Sequence, residues 1–283
     1  MASFTNFATL SYNGGTTNSN IVTGEILEAL TAVKTAVSAN YSAADRITYA
    51  LSLVNTGTAA VTDYTVTDNL GGYTVGANTV YPLAYNAGTV RYYINGVLQA
   101  APTVTAGPPL TVTGLTVPAG GSAVLIYETT ATPVAPLATG SSITNTATIT
   151  GGGLTTPITA QATVETANSA ELSISKALSP TTVTENGQIT YTFVISNTGN
   201  TEATATGNVV VTDTFAPILR NIAVTYNGTA WTEGTNYTYS AATGVFTTLA
   251  GQITVPAATF TQNTDGTFTV TPGTATLVIT GTV

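Results

Sequence analysis

The feature that most constrains this chain is an internal repeat. The segment DRITYALSLVNTGTAAVTDYTVTDNL (Asp45 to Leu70) returns as GQITYTFVISNTGNTEATATGNVVVTDTF (Gly187 to Phe215). Tyr49 falls on Tyr191, Gly57 on Gly199 and Lys34 on Lys176, each 142 residues later, while Asp68 falls on Asp213 after a three-residue insertion. Twice that offset nearly exhausts the 283 residues, so the chain is two copies of one unit and little else. Within each copy Thr, Val, Ile and Tyr alternate in short runs such as Ile47 to Val54 and Ile189 to Ile195, broken by Asn-Gly, Gly-Gly and Pro turns. That is the pattern of half-buried strands joined by hairpins. The only stretch rich in helix formers is Gly24 to Lys34. About seven strands per copy predict an all-β chain of two tandem immunoglobulin-like β-sandwich domains.

The two copies do not end alike. The first continues past VPAGGSAVLIYETTA (Val117 to Ala131) and a Pro-rich loop into SITNTATITGGGLTTPITAQATV (Ser142 to Val164), which reads as a hairpin. The second ends at the counterpart of the first of these, VTPGTATLVITGTV (Val270 to Val283). The hairpin's match lies instead at the other end, in SFTNFATLSYNGGTTNSNIVTGEIL (Ser3 to Leu27), with Asn6 on Asn145, Ala8 on Ala147 and Gly14-Gly15 on Gly152-Gly153. The expected organisation is therefore a donor hairpin (1-28), a complete domain (29-168) and a domain lacking its last strands (169-283). A sheet missing its final strands exposes an apolar edge and cleft. The hairpin of a neighbouring copy, presenting Phe4, Asn6, Ala8 and Leu10, would complete it by strand addition. Such a head-to-tail contact does not close on itself and gives an open fibre. The alternative is a hairpin that folds back onto its own second domain.

Charge placement singles out a second feature. Only 6% of residues are charged, and just two are lysines, Lys34 and Lys176, at equivalent repeat positions. Period-two alternation puts Lys176 on the face of Leu172, Ile174 and Leu178, Asp213 with Val209, Val211 and Phe215, and Asp68 with Tyr64, Val66 and Leu70. Asn145 falls with Ile143, Ala147 and Ile149, and Asn6 with Phe4, Ala8 and Leu10. Lys34 is ambiguous, because Val33 and Val37 compete for the inward face. Burying an ammonium costs several kcal/mol unless it is paired. Two explanations fit: a buried Lys-Asp ion pair hydrogen-bonded to Asn, or an isopeptide crosslink in which neutral lysine attacks the carboxamide, an acid assists and ammonia leaves. The crosslinks expected are Lys34-Asn145 within the first domain and Lys176-Asn6 of the neighbouring subunit, with Asp68 and Asp213 as the assisting acids and Glu128 as another candidate.

The remaining composition excludes much. Five Lys plus Arg against thirteen Asp plus Glu give a net charge of -8, which argues against nucleic acid and anionic membranes as partners. With no His and no Cys, the commonest general base, the thiol nucleophile and the usual zinc ligands are missing. No metal, cofactor or turnover enzyme is expected, and any catalysis is a single event on the chain itself. No apolar run reaches the roughly 18 to 20 residues of a membrane span. The start has neither a basic nor an apolar signal region, so production without a secretory signal peptide is expected. Aromatics such as Tyr92, Tyr93, Trp231, Tyr237 and Tyr239 fit cross-strand pairs or a carbohydrate-binding strip.

The run ELSISK followed by ITYTFVISNTGN and VVVTDTF, closed in the first copy by ITNTATITGG, resembles the bacterial surface repeat known as domain of unknown function eleven. The resemblance covers essentially the whole chain and implies immunoglobulin-like modules on bacterial surfaces. Two such repeats in a chain of this size also resemble clostridial spore appendage subunits. Related isopeptide modules place Lys on the first strand, Asn on the last and an acid between, the order of Lys34, Asp68 and Asn145. The implied function is a self-assembling subunit of an extracellular surface fibre, with itself as partner and anchoring proteins on the spore or cell surface. The competing reading is a monomeric adhesin that binds a host or carbohydrate ligand.

Overall fold

The computed structural model describes residues 2–26 and 29–283, and it is almost entirely β. Among the described residues the one helical turn is a 3-10 turn at Ala205–Gly207. The helix-former stretch is instead strand at Val22–Ile26 and at Leu30–Ala36, while residues 27 and 28, where the expected hairpin boundary falls, lie outside the described residues. Contacts divide the chain into two compact units. One runs through Ala135 and takes in Ser142–Glu165; the other comprises Pro136–Ser141 and Thr166–Val283.

The first unit is a two-sheet sandwich. One sheet runs in the order Val97–Leu98, Arg91–Ile94, Ser122–Ala131, Arg46–Asn55, Leu30–Ala36. The other runs Thr103–Thr105, Leu110–Val117, Val61–Asp68, Ser142–Gly151, Ile158–Thr166, Asn40–Tyr41. Every second side chain of Arg46–Asn55 is sealed, with Ile47, Tyr49, Leu51 and Leu53 fully buried. Strict alternation is what a strand with one core face and one wet face requires. The hairpin Ser142–Gly151 to Ile158–Thr166 closes the second sheet beside Val61–Asp68, pairing Ala147 with Asp68 and Ile149 with Val66. Its turn needs glycine: Gly152 has φ +62, and a Cβ there would meet Val61 Cγ1 at 2.6 Å.

The second unit repeats the first sheet as Leu172–Ser179, Gln188–Asn197, Gly273–Thr282, Arg220–Tyr226, Thr229–Trp231. Phe215 centres its core, 4.9 Å from Tyr191 and 6.3 Å from Phe246 between ring centroids. In both units a buried Asn fixes the NTG turn. Asn55 donates to the carbonyls of Ala59, Val117 and Pro118 and accepts from Gly57 N–H. Asn197 donates to Thr201 and Pro256 and accepts from Gly199 and Glu171.

The facing sheet of the second unit is where the copies part. Thr212–Thr214, the counterpart of the end of Val61–Asp68, pairs with Val245–Thr248 and with no other described strand. Its other edge is the one that Ser142–Gly151 occupies in the first unit. The N-terminal residues form an extended hairpin of their own, Ala2–Asn6 with Val22–Ile26 and Thr9–Tyr12 with Gly15–Asn18. Asn6 pairs with Val22 there as Asn145 pairs with Ala162 in the first unit.

Candidate functional site: lysine, aspartate and asparagine between the sheets

Lys34 stands on the edge strand Leu30–Ala36, opposite Leu51. The ambiguity at this strand resolves in its favour: Lys34 is buried, whereas Val33 and Val37 are exposed at 61% and 77%. The strand lies on a sheet edge, so its outward face can carry valine at little cost, while the inward face supplies the amine. From the facing sheet come Asp68 and Asn145, both buried. Lys34 Nζ lies 2.5 Å from Asp68 Oδ2, and Asp68 Oδ1 accepts from the N–H of Leu70. The Tyr127 hydroxyl also donates to Asp68 Oδ2. Tyr49, stacked on Tyr127 with centroids 5.8 Å apart, puts its ring face 4.8 Å from the ammonium position. Glu128, the alternative acid, sits on the outward face and reaches Arg46 at 3.7 Å.

Electrostatics follow from the burial. Desolvation lowers the Lys34 pKa to about 8, against the opposing pull of Asp68. Desolvation also drives the Tyr49 and Tyr127 hydroxyls upward, helped by Asp68, so both are phenols at any ordinary pH. Asn145 is the anomaly: its Nδ2 and Oδ1 are both buried and neither makes a hydrogen bond. A buried amide left unpaired costs about 1–3 kcal/mol. The ion pair hydrogen-bonded to Asn, one of the two explanations considered above, is thus present as an ion pair but without its Asn hydrogen bonds. Asn145 is an unsolvated carboxamide on the strand that pairs with that of Asp68, two residues from Ala147, which stands opposite Asp68.

A pH dependence tests the amine. In an Asn145→Ala chain the lysine stays free. The unfolded chain then holds a proton, between about pH 8 and 10, that the folded chain has lost, so stability should rise with pH across that window. Above about pH 10 it should fall, because tyrosines ionise in the unfolded chain while Tyr49 and Tyr127 hold their protons in the folded one. Urea unfolding at pH 7, 9.5 and 11 reads this out. A flat profile from 7 to 9.5 would mean that Lys34 keeps its ordinary proton affinity.

The second unit repeats the lysine and the aspartate. Lys176 Nζ is 2.5 Å from Asp213 Oδ2 and lies over the rings of Tyr191, Phe193 and Phe215 at 4.4, 5.4 and 5.5 Å. It points inward as the alternation predicts, yet its side chain is 40% exposed, where that of Lys34 is 0%. The whole strand Leu172–Ser179 is exposed. Leu172 is open at 40% where its counterpart Leu30 is at 4%. Facing position in a strand follows from sequence, but burial depends on a covering strand. A groove lined by Leu172, Ile174, Ile195 and Val209 to Val211 runs beside Leu172–Ser179. The expected donor residues Phe4, Asn6, Ala8 and Leu10 are all exposed.

Two side chains of the site were not singled out as such in the sequence, Tyr49 and Tyr127. The signal for Tyr127 is a hydroxyl in the inward series Ala123, Leu125, Tyr127, Thr129, at a place where the repeat has Ile279: each stands opposite the equivalent Tyr49 and Tyr191. Three of the other aromatics are taken up by packing. Tyr92 is buried with its hydroxyl on Thr116, Trp231 stacks on Tyr226 at 4.9 Å, and Tyr237 packs on Phe246 at 5.2 Å. Among the described residues no cluster of three or more His, Cys, Asp or Glu could hold a metal, and no helix is long and apolar enough to cross a membrane.

Strand order and burial together define two immunoglobulin-like β-sandwich units, the second with an open sheet edge. No family model and no curated protein matches the chain. Among solved structures it is similar to BcpA, the major pilin subunit of Bacillus cereus, at 14% identity over 96% of this chain and 73% of that one, with a TM-score of 0.36. It is similar as well to the RrgB pilus backbone of Streptococcus pneumoniae, at 13% identity over 86% and 55% and a TM-score of 0.36. A third is the N-terminal domain of the Streptococcus gordonii adhesin Sgo0707, at 13% identity, a TM-score of 0.34 and 51% of this chain, which spans only 34% of that one.

Proposed function

We propose that this chain is a structural subunit of a bacterial surface fibre, polymerising head to tail as the hairpin of one copy completes the second domain of the next. The observation that carries the reading is the contrast between the two sites. Lys34 and Asp68 are sealed under a hairpin that bears Asn145, while Lys176 and Asp213 stand open beside an unpaired strand edge. A hairpin of matching sequence is held out in solvent. In the register of the first domain, Ala8 would pair with Asp213 and Leu10 with Val211, bringing Asn6 to the place that Asn145 holds. Extracellular placement on a spore surface rests on the resemblance of the repeat to spore appendage subunits.

Each site would then form an isopeptide bond. Lys34 passes a proton to Asp68, and the freed amine attacks Asn145 Cγ. The Cγ–Nδ2 bond breaks, a proton joins the leaving nitrogen, and ammonia departs. Ammonium, carboxylate and carboxamide become amide, carboxylic acid and ammonia, with charge and hydrogen balanced. Proximity supplies the effective concentration that makes a carboxamide react. The second site cannot do this alone, because its lysine stays hydrated until the donor covers it and delivers Asn6.

Intact mass tests the assignment: a dispersed subunit should lack one ammonia, and boiled fibre should run as a ladder of subunit multiples. In a Lys176→Ala variant fibres should still assemble but fall to single subunits in hot detergent. A variant that keeps the ladder would place the covalent link elsewhere.

A further inference from the structure

In the first domain the short strand Asn40–Tyr41 lies along the outer edge of Ile158–Thr166, the second strand of the closing hairpin. Three side chains on these neighbouring strands are sealed: Tyr41, Val164 and Ile143, the last two opposite each other in the hairpin. The corresponding positions of the second domain and the N-terminal hairpin hold different sizes. The 142-residue offset puts Val183 at the place of Tyr41, and Phe4 stands opposite Gly24 where Ile143 stands opposite Val164. Tyrosine, valine and isoleucine have become valine, glycine and phenylalanine, so that the bulk moves from the acceptor to the hairpin. Cores tolerate exchanges that conserve volume and penalise those that do not.

The free hairpin is already shaped for this exchange. The exposed Phe4 ring lies across Gly24, so closely that a Cβ at position 24 would come within 2.4 Å of its Cζ. It leans over Val22–Ile26, the counterpart of Ile158–Thr166, toward the side on which the first domain has Tyr41. On the second domain that side is an open pocket bounded by Val183, Pro217, Arg220 and Val283, with Val183 only partly buried against the core. We propose, resting on the strand-donation reading above, that Phe4 is the anchor of the contact and sets its specificity: its ring seats against Val183 in the pocket of a second copy's second domain. Gly24 and Val183 are the two small residues that make room for it, and the first domain, with Val164 and Tyr41 at those places, excludes it. An aromatic anchor in a preformed pocket, with the competing pocket filled, supplies affinity and selectivity together.

The test exchanges sizes across the contact in the full chain and reads the subunit concentration at which fibres first sediment within a fixed time. Phe4→Ala, a change on an exposed side chain that leaves both domain cores intact, should raise that threshold at least about tenfold, the effect of losing the burial of one large apolar side chain. Val183→Tyr, which fills the pocket as Tyr41 does in the first domain, should raise it comparably. Combining Val183→Tyr with Phe4→Ile recreates the first domain's pair and should bring the threshold most of the way back, a coupling that residues in contact show and distant ones do not. An unchanged threshold for Phe4→Ala, or single and double variants whose effects simply multiply, overturns the anchor and leaves strand donation standing. Fibres of ordinary length from a chain lacking residues 1–15 overturn strand donation and the anchor with it.

Discussion

A chain lacking residues 1–15 should be monomeric at concentrations where the full chain forms fibres, with its first domain folded and still short of one ammonia. The truncation removes Phe4, Asn6, Ala8 and Leu10, and leaves untouched every strand of the first sandwich. The energetics show why the loss should be complete. Docking the hairpin would cover Leu172, Ile174 and Leu178, now 37–55% exposed, together with Phe4 and Leu10 at 54% and 63%. Five such side chains yield about 1.5–3 kcal/mol each at full burial, and less from half-exposed starting points. Association costs of order 4–15 kcal/mol. Apolar burial and association cost are therefore comparable, and the groove without its donor should not sustain a fibre. Negative-stain imaging with size-exclusion chromatography reads the outcome; fibres of ordinary length from the truncated chain would refute strand donation.

The fold was legible because the chain states its pattern twice. Alternation placed Asp68, Asp213 and Asn145 on inward faces, and the structure has all three strands turned that way. What alternation could not supply is depth. Lys176 shares its facing with Lys34, yet one is open and the other sealed, because depth depends on a neighbouring strand rather than on the residue's own. The Val33, Lys34 and Val37 ambiguity has a similar origin: an edge strand tolerates valine outside, so hydrophobicity alone does not tell its faces apart. The two tyrosines escaped because a buried tyrosine reads as core. Only the hydrogen bond of Tyr127 and the unpaired hydroxyl of Tyr49 show that their oxygens belong to the site.

Comparing Lys34→Met with Asn145→Ala should separate the ion pair from the covalent bond by sign as well as size. In a crosslinked molecule the lysine is an amide and Asp68 its neutral acid, so Lys34→Met deletes the crosslink alone, a bond that would join residues 111 apart in a chain with no Cys. A constraint over a loop of about 100 residues contributes, by the disulfide analogy, about 4–5 kcal/mol. Its loss should lower the midpoint of the first domain by roughly 8–20 °C at about 2–4 °C per kcal/mol. Asn145→Ala would lose the same bond while its free lysine pairs with Asp68, so its fall should be as large or smaller. Without a crosslink, Lys34→Met instead leaves Asp68 buried without its cation, a loss of roughly 3–5 kcal/mol. Without a crosslink the second variant behaves quite differently: it removes a buried carboxamide that has no hydrogen bond, and stability should hold or rise. Calorimetry of the two variants beside the wild type therefore decides the chemistry. A large fall for both requires the bond, whereas a fall for Lys34→Met alone leaves only the ion pair.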